Sequence, residues 1–431
     1  MSLRNRWGLR AGLVQLSLLL VMLTLLGSLL PMPAAAHGER ATEPYIRTRT
    51  VHWYDVTWSS QKIDVSDTVT VEGKFHLFTD WPDAATKPEL AFLSNASPGA
   101  VMTRVESYIN GMPAQQSVRH LEIGRDYSFK LVMRGRIPGR WHLHPVLNVH
   151  GAGPIVGPGH WIDVAGSAAD FKVPVTTMTG EVIDDLQHYG VARVQWWQAG
   201  YALLAIAWIV WWIRRPLIVP RWNAIKKGRE DLLVTRTDDR VAAGLLVVVL
   251  VVVIAGYRYT TQKYEYVVPL QAGSFKTKPL PQESPVVAVE LKDATYDVPG
   301  RSLRLDVEIT NQSGSPLRVG EFSTANLRFI NQSLDVALAG VDPSFPKDLV
   351  PGSGLKISDD SPVAPGETRR LRLEATDAAW EIERLVSFLT NVDSRVGGML
   401  FFFDSGGQRH MAEVSGPIVP VFTQLRLAEK S

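Results

Sequence analysis

The sequence predicts a mainly β chain in which two exported β-sandwich or small-barrel domains are joined by two membrane-spanning α-helices. Three observations carry this reading. Short runs rich in β-branched and aromatic residues recur on both sides of the middle of the chain, separated by glycine and proline turns. Between them lie two long apolar runs that flank the most basic short loop in the sequence. A further apolar run opens the chain behind a basic leader.

Taken in order, the leader carries Arg4, Arg6 and Arg10, an apolar run to Leu30, and Ala34 and Ala36 at the A-x-A spacing of a cleaved secretory signal. Cleavage after Ala36 removes residues 1–36 and makes His37 the first residue. An N-terminal exported domain follows over 37–190, with strands expected in "TVTVEGKFHLF" and "YSFKLVMRGR" and turns in "SPGA", "INGMP" and "GAGPIVGPG". The segment 191–260 is a transmembrane hairpin with spans at 194–213 and 241–257. Tryptophans near the ends of the first span fit an interfacial belt, and the eight basic residues from Arg214 to Arg240 place the intervening loop in the cytoplasm. Residues 261–285, with "KTKPLPQESP", read as a linker. The C-terminal exported domain, 286–431, repeats the strand pattern and contains one expected helix at "DAAWEIERLVSFL", capped by Thr376 or Asp377.

Composition limits the chemistry. The 431 residues are enough for two or three units, each with its own core. With 45 basic against 43 acidic side chains there is no broad electropositive surface for nucleic acid. The absence of cysteine removes disulfides, zinc–thiolate sites, iron–sulfur clusters, cysteine nucleophiles and blue-copper centres.

Histidine placement is the informative signal, because eight of the ten histidines fall between residues 37 and 160 of the N-terminal exported domain, His188 and His410 being the others. In "GRWHLHPVLNVHG", His142 and His144 are two apart, so a strand puts both imidazoles on one face. A freed His37 adds its α-amine, whose pKa lies near 8, together with its ring nitrogen. These four nitrogen donors suit copper(II), which heads the divalent affinity order, while zinc on three histidines is the competing assignment. His52 and His76 form a candidate second pair or are half-buried structural histidines; Glu39 is a candidate to orient a ligand or is a solvated charge; His150 and His160 read as loop residues.

These residues also resemble a known family. Ordered matches run from "HGER" through "RTVHWYDVTW", "GKFHLFTDWP", "LEIGRDYSF", "GRWHLHPVLNVHGAGPIVGPGHW", "RRPLIVPR", "VPLQAG", "YDVPGR", "GEFSTANLRFIN", "APGETR" and "DAAWEIERL" to "GPIVPVF". The chain is similar to the beta (B) subunits of the membrane-bound copper monooxygenases, the group that includes particulate methane monooxygenase and ammonia monooxygenase. The resemblance implies two cupredoxin-like β domains in the periplasm and a multi-pass place in a bacterial inner or intracytoplasmic membrane. It implies a trimer of heterotrimers with two further integral-membrane components, the A and C subunits, in contact with lipid and acting on O2 and a small gaseous substrate. It implies copper on His37, His142 and His144, with a second copper of some members falling on His52 and His76. Methane is the favoured substrate, ammonia the alternative within the family, and a non-catalytic copper-binding or assembly component the alternative outside it.

Overall fold

The computed structural model describes residues 42–177, 179–215, 218–264, 273–282, 284–391 and 393–422. The expected signal segment, His37 and Glu39 lie outside these. The chain divides into two compact units: a β body that runs up to Phe171 and resumes at Gly273, and the intervening segment from Lys172 to Ala272.

The β body begins with a short helix, α1 (Pro44–Arg49), started by a proline at its first position. Eleven strands follow: β1 (Val51–Trp58), β2 (Lys62–Asp64), β3 (Thr68–Leu77), β4 (Leu90–Ala96), β5 (Met102–Ile109), β6 (Met112–Pro113), β7 (Ser117–Arg119), β8 (Asp126–Gly135), β9 (Gly139–Val149), β10 (Gly153–Val156) and β11 (His160–Ala165). They form two sheets, β1-β3-β8-β5-β6 and β7-β4-β9-β11-β2, with β10 added on the second half of β9. Alternation explains the layering. In β8, "DYSFKLVMRG", Tyr127, Phe129, Leu131 and Met133 are buried while the residues between them are more exposed, the period-2 pattern of a strand with one face in a core.

The second unit holds a small hairpin, β12 (Val175–Thr176) with β13 (Val182–Ile183), and the helices α2 (Val191–Ile213), α3 (Val219–Lys226) and α4 (Arg236–Lys263). Helices α2 and α4 are long and apolar enough to cross a membrane. Both extend beyond the apolar runs that predicted them. Helix α4 starts earlier because Thr235 and Asp238 form a capping box, and Asp238 also accepts from Trp211 Nε1 (3.0 Å) and Arg215 Nε (3.1 Å) at the C-terminal end of α2.

Past the hairpin, the expected linker proves to be structured in part. Strand β14 (Ser274–Lys276) pairs in parallel with β7 and so lengthens the second N-terminal sheet, while Leu280 N–H donates to Asp126 O at 2.8 Å. The remaining elements are β15 (Val287–Asp297), β16 (Ser302–Asn311), β17 (Leu317–Thr324), β18 (Leu327–Ile330), α5 (Asp335–Ala339), β19 (Leu355–Ile357), β20 (Thr368–Thr376), α6 (Ala379–Ile382), β21 (Arg395–Asp404), β22 (Arg409–Pro417) and β23 (Val419–Val421). Sheets β19-β20-β16-β15-β23 and β18-β17-β21-β22 close on one core that includes Tyr296, Phe322, Phe329, Trp380, Phe388 and Phe402. Each such ring contributes about 2 kcal/mol by leaving water. The expected helix at 377–389 is broken. Asp377 Oδ1 does cap it, accepting from Ala379 N–H at 2.8 Å, but Arg384 takes a left-handed φ of 56° and the rest continues as a 3-10 turn, Leu385–Thr390.

The two sandwiches share a seam built from α1, β1, the 78–80 turn, β21 and β22. Tyr54 and Phe78 join Met399, Phe401 and Phe403 in one apolar cluster. Beside it, the Arg49 guanidinium, only 2% exposed, pairs with Asp80 (3.2 Å) and Asp393, and Arg395 pairs with the same Asp80 (2.8 Å). Arg47 Nη1 donates to Glu383 O at 2.6 Å. Gly397 makes this approach possible, because a Cβ there would stand 2.7 Å from Arg49 Cγ and 2.9 Å from Thr48 O.

Removing a buried charge while leaving its partners in place costs about 3–5 kcal/mol, whereas an exposed pair is worth about 0.5 kcal/mol or less. Arg49→Ala is therefore expected to lower the thermal midpoint of the β body clearly. Arg372→Ala, which removes the exposed pair with Asp306, should leave it unchanged within error in the same calorimetric scan.

Candidate metal centre

Strand β9 positions the H-x-H pair, and its two halves have different neighbours. Residues 139–143 pair with β11, bringing Trp161 opposite His142, while residues 144–149 pair with β4, bringing Ala96 opposite His144. Pro145 sits at the changeover, where its missing N–H costs nothing and its carbonyl accepts from Gly157 N–H at 2.8 Å. Both imidazoles stand on one face, as the i, i+2 spacing requires. Their ring centroids are 4.5 Å apart and their planes nearly perpendicular, at 83°.

The nitrogens converge. His142 Nδ1 and His144 Nε2 are 3.1 Å apart. At metal–nitrogen distances of about 2.0–2.1 Å, that separation corresponds to an angle of roughly 100° at one shared ion. His144 is buried, and its Nδ1–H donates to Gly157 O at 2.9 Å. That bond fixes the tautomer: with the proton on Nδ1, the lone pair of a neutral ring is on Nε2, the atom facing His142. Among the described residues no cluster of three or more potential ligands forms, so the pair needs a donor from elsewhere to complete a site. The donor set itself, imidazole nitrogen without thiolate, fits copper(II) or zinc.

Gly159 was not legible as a site residue. A Cβ there would lie 2.5 Å from His144 Nδ1 and closer still to Cε1, so the ring occupies space that only glycine leaves open. The signal was present in "IVGPGHW", where two glycines flank a proline between strands, a pattern that marks close approach of backbone to something else.

His52 and His76 are brought together as directly opposed residues of β1 and β3. Their states differ. His52 is buried among Tyr54, Phe78 and Phe401, its Nε2 has no hydrogen-bond partner among the described residues, and burial followed by the charges of His76, Arg328 and Arg409 drives its pKa down to about 3. In His76 burial acts in the same direction, but hydrogen bonds to Asp126 (3.1 Å) and Glu413 (3.2 Å) overcome it and raise the pKa to about 9. Both nitrogens of His76 are thus engaged by carboxylates, one from each sandwich. His160, expected in a loop, opens β11 instead; its half-buried ring packs 5.7 Å from Trp58, and burial lowers its pKa. His150 lies in an exposed turn.

Comparison with known proteins adds the following. The monooxygenase B-subunit protein family matches residues 38–422. A protein of Methylococcus capsulatus (strain Bath), the particulate methane monooxygenase alpha subunit, is 44% identical over 390 residues, covering 90% of this chain and 93% of its own length. Among solved structures, the cupredoxin domain of amoB from Nitrosocaldus yellowstonii aligns with 31% of this chain and 98% of its own at 17% identity and a TM-score of 0.24.

Two outcomes are expected from this geometry. Gly159→Ala should displace the His144 ring and abolish copper uptake at the pair, measured by electron paramagnetic resonance of the Cu(II)-titrated chain, while the circular dichroism of the β body stays unchanged. The pair formed by His52 and His76 also sets a pH profile in the metal-free chain. His52, held neutral when folded, makes stability rise with pH from about 3 to 6.5, because the unfolded ring binds a proton there that the folded one refuses. His76, held charged, makes stability fall from 6.5 to about 9, where the folded ring keeps a proton the unfolded one has lost. Melting temperatures should therefore decline above pH 6.5, and His76→Gln should flatten that decline.

Proposed function

The chain belongs to the monooxygenase B-subunit protein family, and from that premise we propose that it contributes a nitrogen-ligated copper site to a membrane-bound complex that hydroxylates methane or a similarly small substrate. The observation that carries this is the convergence of His142 Nδ1 and His144 Nε2 at 3.1 Å with the His144 tautomer fixed from behind. The 44% identity to a component of particulate methane monooxygenase favours methane over ammonia.

The third and fourth donors are the ring nitrogen and α-amine of His37, exposed by cleavage after Ala36. When bound, copper supplies Lewis acidity and one-electron redox chemistry toward O2. The reaction inserts one oxygen atom of O2 into a C–H bond and releases the other as water, consuming two electrons and two protons from an external reductant. The chain's own part is to hold ligands rigidly: Gly157 O fixes the proton of His144, Gly159 gives its ring room, and strand pairing sets the bite of the pair. Glu39, two residues further along the sequence than His37, is the candidate to orient a ligand or bound water there.

The membrane arrangement follows from charge. The basic loop between α2 and α4 faces the cytoplasm, which puts the β body in the periplasm of a bacterial inner or intracytoplasmic membrane. The apolar helices α2 and α4 are the surface offered to lipid and to the integral-membrane A and C subunits of a trimer of heterotrimers. A second copper on His52 and His76 requires His76 to lose its proton and release a carboxylate; without metal the same atoms act as an ion clamp between the sandwiches.

N-terminal sequencing of the mature chain should begin at His37. In the purified complex, the double variant His142→Ala/His144→Ala should lose copper and substrate oxidation together. Full turnover after local loss of copper would remove the catalytic assignment and leave a copper-binding or assembly role.

A further inference from the structure

The two histidines of β9 are held by different means. His144 is buried, tied to Gly157 O and fitted over Gly159. His142 is only half-buried, on the outer face of a strand, where an imidazole ordinarily samples several rotamers and loses that freedom on binding a ligand. Trp161 stands directly opposite it on β11, with ring centroids 4.8 Å apart and planes inclined by 33°. Trp161 remains 43% exposed, so its ring does not serve the sandwich core. On its other contact, the Arg140 guanidinium lies 5.2 Å from the indole centroid and pairs with Asp163 at 3.7 Å, the two being register partners on the same strands.

We propose that Trp161 is a positioning residue that pre-sets the His142 ring for metal binding, an inference that rests on the copper reading of the H-x-H pair. The indole forms one wall of a slot whose other wall is the perpendicular His144 ring. Held there, His142 keeps Nδ1 facing His144 Nε2 before any ion arrives, so less rotamer freedom is lost on binding. The indole also acts on the bound state. An imidazole that gives its lone pair to a divalent cation becomes partly positive, and an aromatic face attracts positive charge. Both effects favour the ligated form and neither requires Trp161 to touch metal or substrate. Arg140 steadies the indole from the far side of the row.

The test uses the whole mature chain beginning at His37, stripped of metal and titrated with Cu(II) against a chelator of known affinity, with electron paramagnetic resonance of the bound ion. Trp161→Ala should weaken binding about 10-fold, the scale seen when the partner that orients a metal-binding histidine is removed, and should change the nitrogen hyperfine pattern. Trp161→Phe, which keeps an aromatic wall, should restore both affinity and spectrum. Because Trp161 is exposed, the metal-free melting temperature should be the same in all three proteins. Binding and spectrum unchanged in Trp161→Ala, or Trp161→Phe as impaired as Trp161→Ala, would overturn the positioning role. Copper uptake by the His142→Ala/His144→Ala variant equal to that of the unsubstituted chain would instead overturn the reading of the site itself.

Discussion

A buried guanidinium governs how the two sandwiches meet. Arg49 is sealed from water at the seam, and a charge so placed is tolerated only where partners reach it, here Asp80 from one sandwich and Asp393 from the other. Since the desolvation of such groups offsets most of the Coulomb attraction, the network contributes less to net stability than to uniqueness. Any other docking of the sandwiches would part Arg49 from Asp393 and Arg395 from Asp80. The same seam carries the His76–Glu413 and Arg409–Asp55 contacts, so a sandwich with the single histidine His410 still sets the electrostatics of the other.

Asp55 shows how the backbone serves that arrangement. It lies in a β-bulge between Tyr54 and Thr57, at a positive φ of 52° that aspartate accepts better than most residues. The bulge turns its carboxylate to Lys74 and Arg409, and Gly73 on the neighbouring strand leaves room for it, since a Cβ there would sit 2.9 Å from Asp55 O. Bulge, glycine and ion pair are therefore one device with three parts, and each would be a defect without the others.

The layers of this protein differ in how far they can be read from sequence. Strand periodicity, the two apolar spans and the H-x-H face are local properties, and the structure has all three where residue spacing puts them. The fate of the segment after α4 was not local: nothing in "GSFKTK" states that β7, more than 150 residues earlier, lacks a neighbour. Arg384 broke a helix whose apolar spacing was sound: its left-handed φ of 56° turns the chain into the 3-10 segment that carries Phe388 against Trp380. Glu413 and Asp126 were equally invisible as partners of His76, since they approach from separate strands of separate sandwiches. Pairings at short range leave a periodic trace, whereas those that depend on which edge is open or which charge is unburied do not.

The contrast between His52 and His76 shows how far environment outweighs residue type. They are register partners on adjacent strands, in the same seam, yet one is held neutral and the other charged. Burial disfavours the imidazolium in both, so burial does not separate them. Two carboxylates do, and the charge they stabilise on His76 then acts on His52 as one more reason to stay neutral. A protonated ring between carboxylates holds the sandwiches together; a neutral ring whose Nε2 has no partner among the described residues sits among aromatics instead. At the H-x-H pair a backbone carbonyl, which can only accept, receives the Nδ1–H of His144 as a hydrogen bond and so leaves the lone pair on Nε2. What divides the two rings is how their nitrogens are engaged: both nitrogens of His76 meet carboxylates, whereas His144 gives one to a peptide carbonyl and turns the other toward His142.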